Sequence, residues 1–85
     1  MENLLREVAK STAKQTVEDA LTEAGGSGIV KVFYLAGPGT YVATIEAQGK
    51  ERRLEFTEQE LLDRGHIARE KAQALARAMF TRDPA

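Results

Sequence analysis

The sequence predicts an α+β domain of order α-β-β-β-α, in which a three-stranded antiparallel meander packs with two helices. Apolar residues recur at three- and four-residue spacing near both ends of the chain, which is the period of a helix. Between them, apolar and polar residues alternate over short runs, which is the period of a half-buried strand. Glycine-containing segments join these runs closely, and short connections favour adjacent antiparallel strands. Helices and sheet would then pack as two layers.

Residues 2–24 predict the first helix. Its apolar positions include Leu4, Leu5, Val8, Ala9, Ala13, Val17, Ala20 and Leu21. The run Gly-Gly-Ser-Gly at residues 25–28 follows, and glycine commonly ends a helix because it adopts the left-handed backbone conformation without steric cost. The same composition is typical of flexible linkers. We therefore expect one domain over residues 1–85, with a hinge at 25–28 between helix 1–24 and the unit 29–85; a natural and an engineered junction both fit this run.

Three strands are predicted at residues 29–35, 41–47 and 52–56, the last two joined by a turn at 48–50. The second and third strands alternate between apolar and polar residues, whereas the first is apolar on both faces. A sheet covered on one face would leave Phe33 and Leu35 of the first strand in water. We therefore expect a second layer or a partner to cover them.

A capping box begins the last helical region. Thr57 and Glu60 have the spacing at which each side chain bonds the backbone amide of the other residue, so a helix is predicted from residue 58. Apolar positions continue to Met79 at helical spacing. Gly65 interrupts them, and glycine costs about 1 kcal/mol inside a helix, so one continuous helix and two pieces broken near Gly65 are both compatible with the pattern. Residues 81–85 are expected to fray.

Composition restricts the classes of function. The chain has 85 residues, 42% hydrophobic and 29% charged, with a net charge of −1, as in an ordinary small globular domain. No apolar run approaches the roughly 18 residues of a membrane span. Cysteine is absent, which excludes disulfides and thiolate metal sites. We expect a cytoplasmic protein without membrane association.

The residues that could support catalysis have structural explanations. His66 is the single histidine, and one histidine without cysteine does not make a zinc site. Glu58, Glu60 and Asp63 fall at the start of a predicted helix, where the helix dipole favours acidic residues. The glycine-rich run precedes a strand instead of opening a helix, the reverse of a nucleotide-binding loop. We therefore expect no enzyme activity, metal, cofactor or small-molecule substrate.

Basic residues provide one candidate binding site. Lys50, Arg52 and Arg53 cluster at the second hairpin, and Arg69 and Arg77 lie eight residues apart on one predicted helical stripe. Together they could follow a phosphate backbone in DNA or RNA. Residues 49–85 carry eight basic and seven acidic side chains, so the charge surplus in this region is small.

Surplus apolar surface provides the second candidate. Phe33 and Leu35 on the first strand, together with Leu4 and Val8 on the first helix, offer more apolar surface than a small sheet can bury. Self-association would bury it, and burial is scarce in a chain of this length. These four residues therefore predict an interface for a homodimer or a protein partner, with a monomer covered on both sheet faces as the alternative.

Short stretches resemble three families connected with nucleic acid. The element order and residues 41–45, with Gly37-Pro38 before them and Gly49-Lys50 after them, resemble double-stranded-RNA-binding domains. That family begins its last helix with lysines, whereas residues 57–60 here are acidic, so RNA binding of that type is not expected. Residues 41–80 look like the strand-strand-helix module of phage and plasmid primase–helicase proteins, and residues 28–32 resemble a run in the YbaB family of nucleoid-associated proteins.

These observations lead to three hypotheses. The first is a small non-catalytic binding module associated with nucleic acid in a replication or mobile-element system. A second is a homodimeric protein–protein interaction or adaptor module. The third is an engineered chain in which residues 25–28 are a designed linker.

Overall fold

The computed structural model describes residues 2–80, with side chains from Leu4 onward. Its elements are α1 (Glu2–Glu23), β1 (Ile29–Leu35), β2 (Thr40–Ala47), β3 (Lys50–Thr57), α2 (Glu58–Leu62) and α3 (Gly65–Phe80). The predicted α+β class and the α-β-β-β-α layout are confirmed. The second predicted helix consists of two pieces, interrupted at residues 63–64 just before Gly65. Residues 81–85, which we expected to fray, lie outside the described residues.

The three strands form one antiparallel sheet in the order β1-β2-β3. Because side chains alternate along each strand, the sheet has two faces of different composition. One face, here called the covered face, carries Val30, Val32, Tyr34, Tyr41, Ala43, Ile45, Leu54 and Phe56. The other, here called the open face, carries Ile29, Lys31, Phe33, Leu35, Thr40, Val42, Thr44, Glu46, Glu51, Arg53, Glu55 and Thr57.

All three helices pack on the covered face and form a single core with it. α1 contacts β1 and β2, whereas α3 lies beside α1 and contacts β3. The helices contribute mainly small residues to this core, namely Ala9, Ala13, Val17, Ala20, Leu21, Leu61, Ala68, Ala72, Ala76 and Met79. The three largest fully buried side chains, Tyr41, Phe56 and Ile45, belong to the sheet. Complete burial of Ile45 or Phe56 stabilises the fold by roughly 1.5–3 kcal/mol each.

Glycines fix the passage from α1 into β1. Gly25 has φ 82°, its amide donates to the Thr22 carbonyl, and the Gly26 amide donates to the Leu21 carbonyl. This pair of bonds is a Schellman cap. Gly28 lies against β2, where a Cβ would come 2.8 Å from the carbonyl oxygen of Glu46. The segment therefore has structural reasons for its glycines, and the flexible hinge stays a prediction.

The turn from β3 into the helices is held by the predicted capping box. The Glu60 amide donates to Thr57 Oγ1 (3.1 Å), and the Thr57 amide donates to Glu60 Oε1 (2.8 Å). Lys71 of α3 then donates both to the Glu60 carboxylate and to the carbonyl of Glu55. These contacts hold α3 against α2 and β3. The chain turns at residues 63–64, and α3 then packs on the covered face.

Candidate interaction surfaces

The open face carries an apolar stripe along β1. Ile29, Phe33 and Leu35 are 59%, 52% and 43% exposed, and Phe33 lines a shallow depression together with Arg6, Glu7 and Lys10 of α1. Val42 lies beside Phe33 in the register but is only 9% exposed, so it adds little to the exposed apolar surface. The sequence predicts that a single covering layer leaves Phe33 and Leu35 in water. The single chain has this arrangement, because all three helices pack on the opposite face of the sheet.

Charged side chains of both signs occupy the rest of the open face. Lys31 and Arg53 flank Thr44 in one cross-strand row, Glu46 lies directly opposite Glu51, and Glu55 follows Arg53 on β3. These charged residues, Lys31, Glu46, Glu51, Arg53 and Glu55, are exposed, and their side chains form no ion pair with the described part of the chain. A depression of about 330 Å³ lies between the apolar stripe and these charges. The open face therefore combines four apolar residues, three threonines and five charged residues of both signs.

The predicted interface residues fall on two separate surfaces. Phe33 and Leu35 lie on the open face, whereas Leu4 and Val8 are exposed on the side of α1 that faces away from the sheet. Leu5 and Leu62 are also exposed and line a depression beside α2, near Leu4. The two pairs therefore lie on different surfaces, although Glu7 of α1 lines both the depression that contains Phe33 and the one that contains Leu4 and Val8.

The predicted basic site is also divided. All five residues are exposed, namely Lys50, Arg52, Arg53, Arg69 and Arg77. Arg53 points to the open face, whereas α3, which carries Arg69 and Arg77, packs on the covered face. Arg52 alternates with Arg53 and so lies on the same side of the sheet as α3. The sheet therefore separates Arg53 from the arginine stripe of α3.

A tyrosine cluster at the end of the sheet was not foreseen from the sequence. The Arg6 guanidinium lies 4.5 Å from the Tyr34 ring centroid, and the Tyr34 and Tyr41 centroids are 4.9 Å apart. The Tyr41 hydroxyl is buried and has no hydrogen-bond partner within the described part of the chain. Burial raises the pKa of Tyr41, and the Glu58 carboxylate raises it further, so the phenol stays protonated at neutral pH. Alternation alone places Tyr34 and Tyr41 on one face, but the approach of Arg6 depends on how α1 packs.

The described range offers no site for a metal ion built from three or more His, Asp or Glu side chains. Its helices are too short or too polar to cross a membrane. No protein-family model matches the chain, and comparisons with curated proteins and with solved structures give no match. The resemblances to families connected with nucleic acid therefore rest on their short motifs alone.

Proposed function

We propose that this chain is a non-catalytic interaction module that forms a homodimer through the open face of its sheet. The supporting observation is the exposed stripe of Ile29, Phe33 and Leu35 on a face that the described chain leaves uncovered. Each of these side chains is about half exposed, so its complete burial would contribute on the order of 1 kcal/mol. Phe33 and Leu35 are neighbours on this face, and Lys31 separates them from Ile29. Exposed apolar groups of this kind, bordered by charges, are typical of an interaction surface.

A second copy is the occupant that this face matches best. An occupant that matches this face has apolar surface for the stripe and charges of both signs, because Lys31 and Arg53 lie beside three glutamates. The open face has this composition itself, and in a two-fold dimer it meets an identical face. A strongly acidic or strongly basic partner would satisfy one set of charges and leave the other set unpaired.

Sedimentation velocity from about 1 µM to about 0.5 mM tests the homodimer. We expect a concentration-dependent dimer, and we expect Phe33→Asp to be monomeric because it places a charge in the apolar stripe. Val8→Asp, on the far side of α1, is the matched control and should leave the dimer intact. A monomeric wild-type chain, or equal dissociation by both substitutions, would contradict the proposal.

Nucleic-acid binding is the second candidate, and one observation favours it. Arg69 and Arg77 are exposed about two turns apart on α3, where they could follow a phosphate backbone. Because Arg53 lies across the sheet from them, we restrict the proposed contact to this stripe. Arg69→Glu and Arg77→Glu should weaken binding to labelled DNA or RNA and flatten its salt dependence, whereas Arg53→Glu should not. Absence of wild-type binding at low salt would reject this candidate.

A further inference from the structure

We infer that the two copies meet about a two-fold axis that crosses the open face between Lys31 and Phe33, so that Arg53 of each copy pairs with the partner's Glu55. This inference rests on the homodimer proposed above and names the contacts that select its register. It starts from the order of residues on the open face.

The open face consists of four cross-strand rows. From one end to the other they are Ile29–Glu46–Glu51, Lys31–Thr44–Arg53, Phe33–Val42–Glu55 and Leu35–Thr40–Thr57. The β1 residues of the first and fourth rows are aliphatic. The second row carries two cations, and the third carries an aromatic ring and a carboxylate. Neighbouring middle rows are thus complementary to each other.

A two-fold axis perpendicular to the strands, midway between the second and third rows, places these complementary rows in contact. Ile29 then faces the partner's Leu35, and Lys31 lies over the partner's Phe33 ring. Arg53 faces the partner's Glu55. Symmetry makes each contact twice, so the dimer gains apolar, cation–π and ion-pair contacts without opposing like charges in these two rows. Packed sheets are usually rotated by about 30° relative to each other. This rotation displaces the first and fourth rows more than the second and third rows, which lie next to the axis.

Registers shifted by two rows superimpose only two of the four rows and bury less of the face. The remaining registers bring like charges together. An axis on the second row places Arg53 against the partner's Arg53, and an axis on the third row places Glu55 against the partner's Glu55. An axis parallel to the strands places Lys31 opposite the partner's Arg53. Like-charge contacts at an interface cost several kcal/mol, so one register is favoured among these face-to-face arrangements.

The size of the face indicates a weak dimer. Three strands of seven residues cover roughly 14 Å by 24 Å, a flat area of about 340 Å². Stable interfaces bury about 800 Å² of accessible surface per partner, so we expect a weak dimer that is populated mainly toward the upper end of the concentration range. At that affinity the apolar stripe supplies most of the attraction, and the Arg53–Glu55 pairs select the register.

Charge reversal tests this register. Arg53→Glu places a glutamate opposite the partner's Glu55, and Glu55→Arg places an arginine opposite the partner's Arg53, and symmetry repeats each repulsive contact. Each variant alone should therefore dimerise at least about tenfold more weakly than the wild type. An equimolar mixture of the two variants should form a 1:1 heterodimer, because every reversed pair is then complementary. The double variant Arg53→Glu/Glu55→Arg should dimerise like the wild type.

Arg69→Glu and Glu70→Arg, which are exposed on α3, are the matched controls and should leave dimerisation unchanged. Far-UV circular dichroism of each variant confirms that it is folded. The register would be wrong if Phe33→Asp dissociated the wild-type dimer but neither single reversal weakened it. That result would leave the proposed homodimer through the open face standing. A wild-type monomer throughout the concentration range would overturn both.

Discussion

Glu46 lies directly opposite Glu51 across β2 and β3, so two carboxylates face each other on the open side of the sheet. Neither side chain forms an ion pair within the described range. Like charges at directly opposed positions destabilise a sheet. The face therefore carries a local repulsion that the packing of the covered face has to outweigh.

Replacing Glu51 by lysine should stabilise the folded chain. The substitution turns the repulsion with Glu46 into an attraction, which is worth roughly 0.5–1 kcal/mol for an exposed cross-strand pair. Glu51→Gln removes the repulsion alone and should give a smaller gain. Thermal unfolding at about 0.02 M and about 1 M salt measures both effects, and the gain should shrink at high salt. An unchanged melting temperature at low salt would contradict this expectation.

Gly28→Ala should destabilise the chain by about 1–3 kcal/mol. The added Cβ would lie 2.8 Å from the Glu46 carbonyl oxygen, which belongs to a paired strand and cannot move easily. Gly37→Ala is the control, because no atom lies within 4 Å of the position of its added Cβ. Urea unfolding of both variants gives the comparison. Equal stability of the two would mean that residues 25–28 behave as a loose linker after all.

Tyr41→Phe should leave the chain as stable as the wild type or stabilise it by up to about 1 kcal/mol. The hydroxyl of Tyr41 is buried without a hydrogen-bond partner, and a buried polar group that lacks a partner opposes folding. Tyr34→Phe, at a half-buried position, should have little effect. Urea unfolding measures the difference, and a loss above about 1 kcal/mol in Tyr41→Phe would show that the hydroxyl makes a stabilising contact.

Glu60 should make stability depend on pH in the acidic range. The Thr57 amide is the main cause that lowers the pKa of Glu60, and Lys71 lowers it further against the opposing effect of burial. Because the folded pKa lies below the unfolded one, the carboxylate stabilises the fold fully above the unfolded pKa. This contribution is lost as the pH falls through the folded pKa.

Urea unfolding of the wild type and Glu60→Gln from about pH 7 to about pH 3 measures this contribution. Glutamine keeps an oxygen for the Thr57 amide but has no charge for Lys71. The wild type should be more stable by on the order of 1 kcal/mol at neutral pH, and the difference should shrink on acidification. A difference that stays constant with pH would assign the effect of Glu60 to something other than its ionisation.

The sequence by itself determined the order of the elements and the direction of their side chains, but it left the break before Gly65 open and predicted β3 to begin at Arg52 instead of Lys50. β1 has the predicted bounds, and the Thr57–Glu60 capping box begins α2 as expected. Alternation also placed Phe33 and Leu35 together on one face of β1. These features depend on interactions within a few residues, so their signals are local and readable.

Only the tertiary structure decided which faces are covered. Because β1 is apolar on both sides, its pattern fits helices on one face of the sheet as well as on both. Burial of alanines from α1 and α3 in one core placed all three helices on the covered face, and this left Phe33 exposed and separated Arg53 from Arg69. Periodicity fixes how a side chain is oriented within its own element, whereas contacts between elements depend on packing that no local pattern encodes.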